Sequence, residues 1–320
     1  MSTPKRLPLD ARAVGWMGLI SALWGLQQVS MKAVAAQASP MLMVSLRSVI
    51  AAALLWVLMH WRGERLQRAR WPAGALVGAL FALEYVLVGQ ALTMTQASQV
   101  LVFLYTGPIF AALGLHWRLP AERLGAVAWV GIALAFAGMA LAFLGGQASA
   151  TDAASLRSGL GSALALVAGV AWGATTVAIR CSALARAPAT ETLLYQLLGA
   201  AAWLLPAAAL SGQWHWSVNA TTLAHLGFQA VVISFASFLV WFWLLTVYPA
   251  SQLGVFSFLT PLIGVGLGVA LLGERLDAHF VIGSALVLAG IVGVSGQAAL
   301  TRWLGRALNT ISRAPAPSRR

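Results

Sequence analysis

Charge is what this sequence has least of. Asp, Glu, Lys and Arg together make up 9% of its 320 residues, against about 25% in a soluble domain. A globule so poor in charge, and 60% apolar, cannot cover its surface with polar groups. Soluble enzymes and nucleic-acid modules are excluded on that ground, and lipid is the solvent for most of the chain. Acids are scarcer than bases: eight against 20, a net charge of +12. The bases sit in short segments between apolar runs, with no long basic stripe, so they report topology and not a nucleic-acid partner. The single cysteine, Cys181, permits no intrachain disulfide and carries no compartment information. The five histidines, His60, His116, His215, His225 and His279, fall mostly at span ends or loops without metal-like grouping. Walker, Gly-x-Ser-x-Gly and His-Glu-x-x-His motifs are missing. The expectation is a protein that is no enzyme, takes no cofactor or metal, and is not driven by ATP through this chain.

Hydrophobic runs fill the space that charge leaves. A helical span needs about 20 apolar residues, and ten runs are long enough, near 14–36, 41–60, 73–94, 97–116, 122–144, 158–180, 188–210, 222–246, 250–271 and 278–299. The 94–97 and 247–250 joints are the weakest breaks. The first run has a basic start and Ala36-Gln37-Ala38 near its end, as a signal peptide would. Its polar positions recur later in the chain, which a disposable leader does not need.

That recurrence is the strongest pattern present. Trp24-Gly25, Lys32 and Pro40 repeat as Trp172-Gly173, Arg180 and Pro188, all at an offset of 148. Ala97-Ser98-Gln99, Phe103 and Pro108 repeat as Ala250-Ser251-Gln252, Phe256 and Pro261, at 153. Glu122-Arg123-Leu124, Gly131 and Gly138 repeat as Glu274-Arg275-Leu276, Gly283 and Gly290, at 152. The chain is therefore a duplicated five-span unit: a cytoplasmic tail 1–13, a first repeat 14–145, a loop 146–157, a second repeat 158–300 and a basic tail 301–320. With a cytoplasmic N-terminus and ten spans, sixteen of the 20 basic residues fall in cytoplasmic segments. Lys32, Arg157 and Arg275 fall outside, and Arg47 lies within a span. This bias predicts an inner-membrane protein with both termini cytoplasmic. An odd number of spans per repeat inserts the halves in opposite senses. Such inverted repeats are typical of secondary transporters with a site near the midplane.

These features together resemble the drug/metabolite transporter superfamily, in particular its EamA-type ten-helix members. The residues that carry the resemblance are Ala22-Leu23-Trp24-Gly25 and Ala171-Trp172-Gly173, Arg47 with Ala51, Pro108 and Pro261, and the Glu-Arg-Leu turns at 122 and 274. It covers residues 14 to about 299. The resemblance implies a basket of ten helices that opens to one side at a time, with spans 5 and 10 outermost. It also implies export of amino acids or other metabolites, while relatives carry sugar phosphates, nucleotide sugars or cationic drugs. Small multidrug exporters related to this family use a first-span glutamate; here that span has Gln27 and Gln28, whose amides exchange no protons.

Glu84 is the outstanding candidate. It lies about 11 residues, or roughly 16 Å, into the third span, and its counterpart in the second half is Ser237. An ionisable residue at that depth is a functional candidate by default. It reads as a proton-carrying or cation-binding carboxylate, or as an acid paired with Arg47 or Lys32 for packing alone. Arg47 reads as a coupling residue, or as a structural one that snorkels outward or caps loop carbonyls. Lys32 and Arg180 read first as snorkelling anchors. Helical spacing places Trp24, Gln27, Gln28 and Met31 on one face, and Trp172, Thr175, Thr176 and Ile179 on its counterpart. Glu84 and Tyr85 share a face in the third span, as do Ser237 and Trp241 in the eighth. Gln99 and Phe103 line up in the fourth, Gln252 and Phe256 in the ninth. Polar groups turned to lipid lack water, so these faces are expected to line one central cavity; interhelical hydrogen bonding without a ligand is the plainer reading. Pro108 and Pro261 read as matched hinges that free the carbonyls of Leu104 and Ser257, or as packing kinks. The paired glycines of spans 5 and 10 read as close helix contacts. The expected partners are a small-molecule substrate and membrane lipid, in a protein that is monomeric rather than oligomeric. A proton-coupled drug or cation exporter, or a non-transporting sensor or assembly protein, are the alternatives.

Overall fold

The computed structural model describes residues 10–119, 123–144, 153–248 and 259–293. Span 1 is Ala11–Ala33, span 2 Pro40–Trp61 and span 3 Trp71–Met94. Span 4 is two helices, Ala97–Leu104 and Gly107–Arg118, and span 5 is Ala126–Leu144. The second half repeats the plan. Span 6 is Ala153–Arg180 and span 7 Ala189–Leu210. Span 8 runs through Ala220–Gly227, a π-helical stretch Phe228–Ser237 and Phe238–Val247. Span 9 is described over Leu259–Leu272 and span 10 over Ala278–Gly293. The protein is an all-helical membrane protein of two inverted five-helix repeats. Six of the described helices are long and apolar enough to cross a bilayer, and spans 5, 9 and 10 contribute shorter apolar helices.

Local chemistry sets where helices begin and end. Asp10 caps span 1 by accepting from Ala13 N at 2.8 Å, and Asn219 with Thr222 forms a capping box on span 8. Pro40 and Pro72 open spans 2 and 3, where a missing N–H costs nothing. Gly63, Gly212 and Gly273 close spans 2, 7 and 9 at φ of 67°, 73° and 64°, a conformation that suits glycine. The weak 94–97 joint is a true break: Thr95 is extended.

The two halves interleave, and glycine decides where. A Cβ on Gly25 would stand 2.9 Å from Gly264 N, and one on Gly173 2.8 Å from Ala111 N. Span 1 thus lies on span 9 as span 6 lies on span 4, at equivalent positions. Spans 5 and 10 meet through Gly138 against the Gly283 carbonyl and Gly290 against the Gly131 carbonyl, where a Cβ would come within 2.5 and 2.4 Å. The seven-residue glycine spacing is a helix–helix seam. Large apolar side chains face outward: Trp61 is 81% and Trp117 75% exposed. That suits residues at a membrane interface.

Loops gather at two ends. At the Arg-rich end, Tyr248 Oη donates to Asp10 (3.0 Å). Glu191 at the start of span 7 pairs with Arg70 (2.5 Å) and accepts from Gln67 N (3.2 Å), while Thr190 donates to Glu64. At the opposite end, Ser217 N donates to the Gln37 carbonyl (2.7 Å), and Glu274 accepts from Ala97 N (2.6 Å), Ser98 N (3.1 Å) and Ser98 Oγ. Lys32 departs from the expected snorkelling anchor. It is half-buried and donates to the Leu92 and Thr95 carbonyls at 2.5 and 2.7 Å. The reason is the α-helix itself: the last carbonyls of span 3 lack partners, and a cation there also complements the helix dipole.

Candidate functional site

Arg47 is the centre of the polar core. It is 1% exposed, so it neither snorkels nor caps loop carbonyls. Its Nη1 donates to Gln229 Oε1 at 2.6 Å. With the Gln27 amide oxygen turned toward it, Nη1 and Nη2 donate to Gln27 at 2.9 and 3.3 Å, and Tyr85 Oη donates to the same oxygen at 3.1 Å. The guanidinium lies 4.7 Å from the centre of the Tyr85 ring. Gln229 Nε2 closes the set by donating to the Gln27 carbonyl at 2.8 Å. Spans 1, 2, 3 and 8 are tied together by one cation and neutral partners. A lone Arg at a bilayer centre costs roughly 2.5–3.5 kcal/mol on insertion scales. Hydrogen bonds to a charged group contribute about 1.5–3 kcal/mol each, so three of them, with the ring, offset that cost. The arginine is held here instead of reaching for water because these bonds are available at its own depth.

Gln229 has no part in the expected faces, and periodicity alone misses it. It sits in the π-helical stretch of span 8, whose wider turn shifts every later side chain off α-helical register. The same stretch ends at Ser237, which accepts from Trp24 Nε1 at 3.0 Å and donates to the Ile233 carbonyl at 2.6 Å. Trp24 also packs on Trp241, edge-on at 5.6 Å between ring centres.

Glu84 is 6% exposed and adjoins Tyr85 on span 3. Among the described residues it makes no ion pair within 4 Å, so it is not bridged to Arg47 or Lys32. Arg47 and Tyr105 are nevertheless near enough to interact with it electrostatically. Gln28 is 3% exposed, and its Oε1 has no hydrogen-bond partner among the described residues, nor has Arg47 Nε.

The other expected residues divide. Span 4 breaks at Tyr105–Thr106, just before Pro108, and Thr106 Oγ1 donates to the Phe103 carbonyl at 2.6 Å. Trp172 covers the break: its ring stands 5.2 Å from that of Tyr105, and a Cβ on Gly107 would meet it at 2.5 Å. Phe103 is fully buried beside it. Thr176 donates within its own helix, to the Trp172 carbonyl at 3.2 Å. Gln99 is not brought to the centre; near the end that carries Glu274 it takes hydrogen bonds from Thr95, Ser158 (3.3 Å) and Ser162 (3.0 Å). Pro261 is buried in span 9, while Gln252, Phe256 and the Ser257 carbonyl lie outside the described residues. A 330 Å³ groove lined by Ser30, His225, Phe228 and Leu271 opens between spans 1, 8 and 9. Among the described residues no group of three His, Cys, Asp or Glu could hold a metal.

A family model described as the EamA-like transporter family matches residues 12–144 and again 159–296. The chain belongs to that family. It is 24% identical over 288 residues to the "Uncharacterized transporter YoaV" of Bacillus subtilis (strain 168), covering 86% of this chain and 94% of that protein. It is 40% identical over 65 residues to the "Putative permease-like protein YdzE" of the same organism, covering 20% of this chain and 83% of that protein. A solved structure described only as "Crystal structure of protein" shares the fold, with a TM-score of 0.62 at 23% identity, over 92% of this chain and 99% of the other. In this EamA-like protein each family match spans one half, and the Arg47 centre draws on both.

Proposed function

We propose that this EamA-like protein is a secondary transporter of the cytoplasmic membrane, with both termini inside, that exports amino acids or similar small metabolites by alternating access. One observation carries the reading: spans 1, 2 and 3 of the first repeat and span 8 of the second converge on a single buried polar centre. Exchange between two arrangements of the halves would open that centre to each side in turn. Trp24, Gln27, Gln28, Tyr85, Ser237 and Trp241 would contact the solute. Glu84 is the candidate coupling acid, and Pro108 with Pro261 the candidate hinges. Catalysis has no place in this reading. The test is counterflow: purified protein in liposomes preloaded with unlabelled amino acids should accumulate labelled amino acids well above protein-free liposomes. Flux no greater than in protein-free liposomes, for any small solute tried, ends the reading.

A further inference from the structure

We propose that Arg47 and Glu84 are the two poles of a zwitterion site, Arg47 receiving the carboxylate of the solute and Glu84 its ammonium group. The inference rests on the transporter reading and assigns the chemistry of that site. Arg47 is a cation at 1% exposure whose partners, Gln27, Gln229 and the Tyr85 face, are all neutral. Its Nε–H makes no hydrogen bond among the described residues. Glu84, the neighbour of Tyr85, is 6% exposed and bridged to no cation among the described residues. Buried charges are normally paired, because an unpaired one forfeits its hydration. Here a cation and an acid are both buried, the cation stacked on the neighbour of the acid, and no ion pair joins them among the described residues.

Charge balance selects the ligand. A simple anion would satisfy Arg47 and bring no cation to Glu84. A simple cation would satisfy Glu84 and leave Arg47 as it is. A neutral solute would neutralise neither. A molecule with carboxylate and ammonium on one carbon answers both groups at once, and Gln28 Oε1, without a hydrogen-bond partner among the described residues, offers a further acceptor for an N–H. Arg suits the carboxylate pole because its planar fork can offer Nε and an Nη together, which Lys cannot.

The experiment is competition in counterflow on the unmodified protein, with an equimolar mixture of labelled standard L-amino acids as probe. Free amino acids should compete. Their methyl esters, which lack the carboxylate, and their N-acetyl derivatives, which lack the ammonium, should each compete at least ~tenfold more weakly. Arg47→Lys should raise KM for the amino acids more than it lowers the maximal rate, in protein whose yield and melting match the parent. Esters or N-acetyl derivatives that compete as well as the free acids overturn the assignment of the missing pole. Liposomes that exchange phenylethylamine or phenylpropionate but not amino acids overturn the zwitterion site while leaving a transporter. Liposomes that exchange none of these overturn both.

Discussion

The two halves are alike in how they pack and unlike in what they hold. Gly25 on span 9 and Gly173 on span 4 are the same contact made twice, and the glycine seam of spans 5 and 10 is its own mirror. The buried polar groups do not follow that symmetry. At an offset of 148 Arg47 corresponds to Tyr195, Gln27 to Thr175 and Gln28 to Thr176; at 153 Glu84 corresponds to Ser237 and Tyr85 to Phe238. Around Arg47, among the described residues, the first half supplies the charges and most of the amides, the second mostly hydroxyls and rings, with Gln229 an amide added from the second half. Backbone approach tolerates little change, since even a methyl group clashes there. Side chains at the centre are free of that constraint, so one copy of a duplicated unit can take on the chemistry while both keep the scaffold.

The comparison can be broken at several points. The largest stability effect should come from a contact with no counterpart: Glu191 is 1% exposed and paired with Arg70, and the equivalent position holds Met43. Glu191→Ala strands the Arg70 charge and should cost about 3–5 kcal/mol, read as a loss of folded yield and melting temperature in detergent. The seam of spans 5 and 10 should show symmetry instead. Gly138→Val and its repeat counterpart Gly290→Val each drive a side chain into the opposite backbone and should each cost about 1–3 kcal/mol or more, with similar thermal shifts. A large loss from one and none from the other would dissolve the scaffold symmetry. Glu274→Gln keeps an acceptor on the start of span 4 but removes its charge, and about 1 kcal/mol should be lost. Asp10 is the mildest case. The Ala13 N–H holds its carboxyl below the usual range, so what it adds is present above its unfolded value and lost as pH falls through the lowered one. Asp10→Ala should lower the melting temperature slightly near neutrality and change little at pH below the lowered value, so that the acid limb disappears, measured by melting against pH.

Much of this was legible beforehand because it is written in repeats. Ten spans, the duplication and the glycine seam follow from run lengths and fixed offsets, and the break before Pro108 follows from its missing N–H. Glu84 stood out because an acid in an apolar helix has few bland explanations. Gln229 stayed hidden because the π-helical stretch departs from the 3.6-residue period on which faces are drawn. Arg47 was visible as a residue but not as a centre, since its partners lie on three other spans, up to 182 positions away. Gln99 shared a helix face with Phe103, yet periodicity ranks faces and not depth, and its partners Ser158 and Ser162 hold it away from Arg47. Lys32 escapes a reading from its own span because its approach to the free carbonyls at the end of span 3 is a tertiary feature.

The most direct test sets the two equivalent positions side by side. Glu84→Gln and Ser237→Ala should both insert and fold, since each replaces a buried group by one of similar or smaller size. Counterflow should then separate them. Glu84→Gln should lose about tenfold or more of the parental rate, equal to ~1.4 kcal/mol of lost stabilisation or greater, while Ser237→Ala should stay within about twofold, the hydroxyl contributing one neutral hydrogen bond to Trp24. Parental flux in Glu84→Gln, or equal losses in both, would contradict the claim that the first half alone carries the charged chemistry.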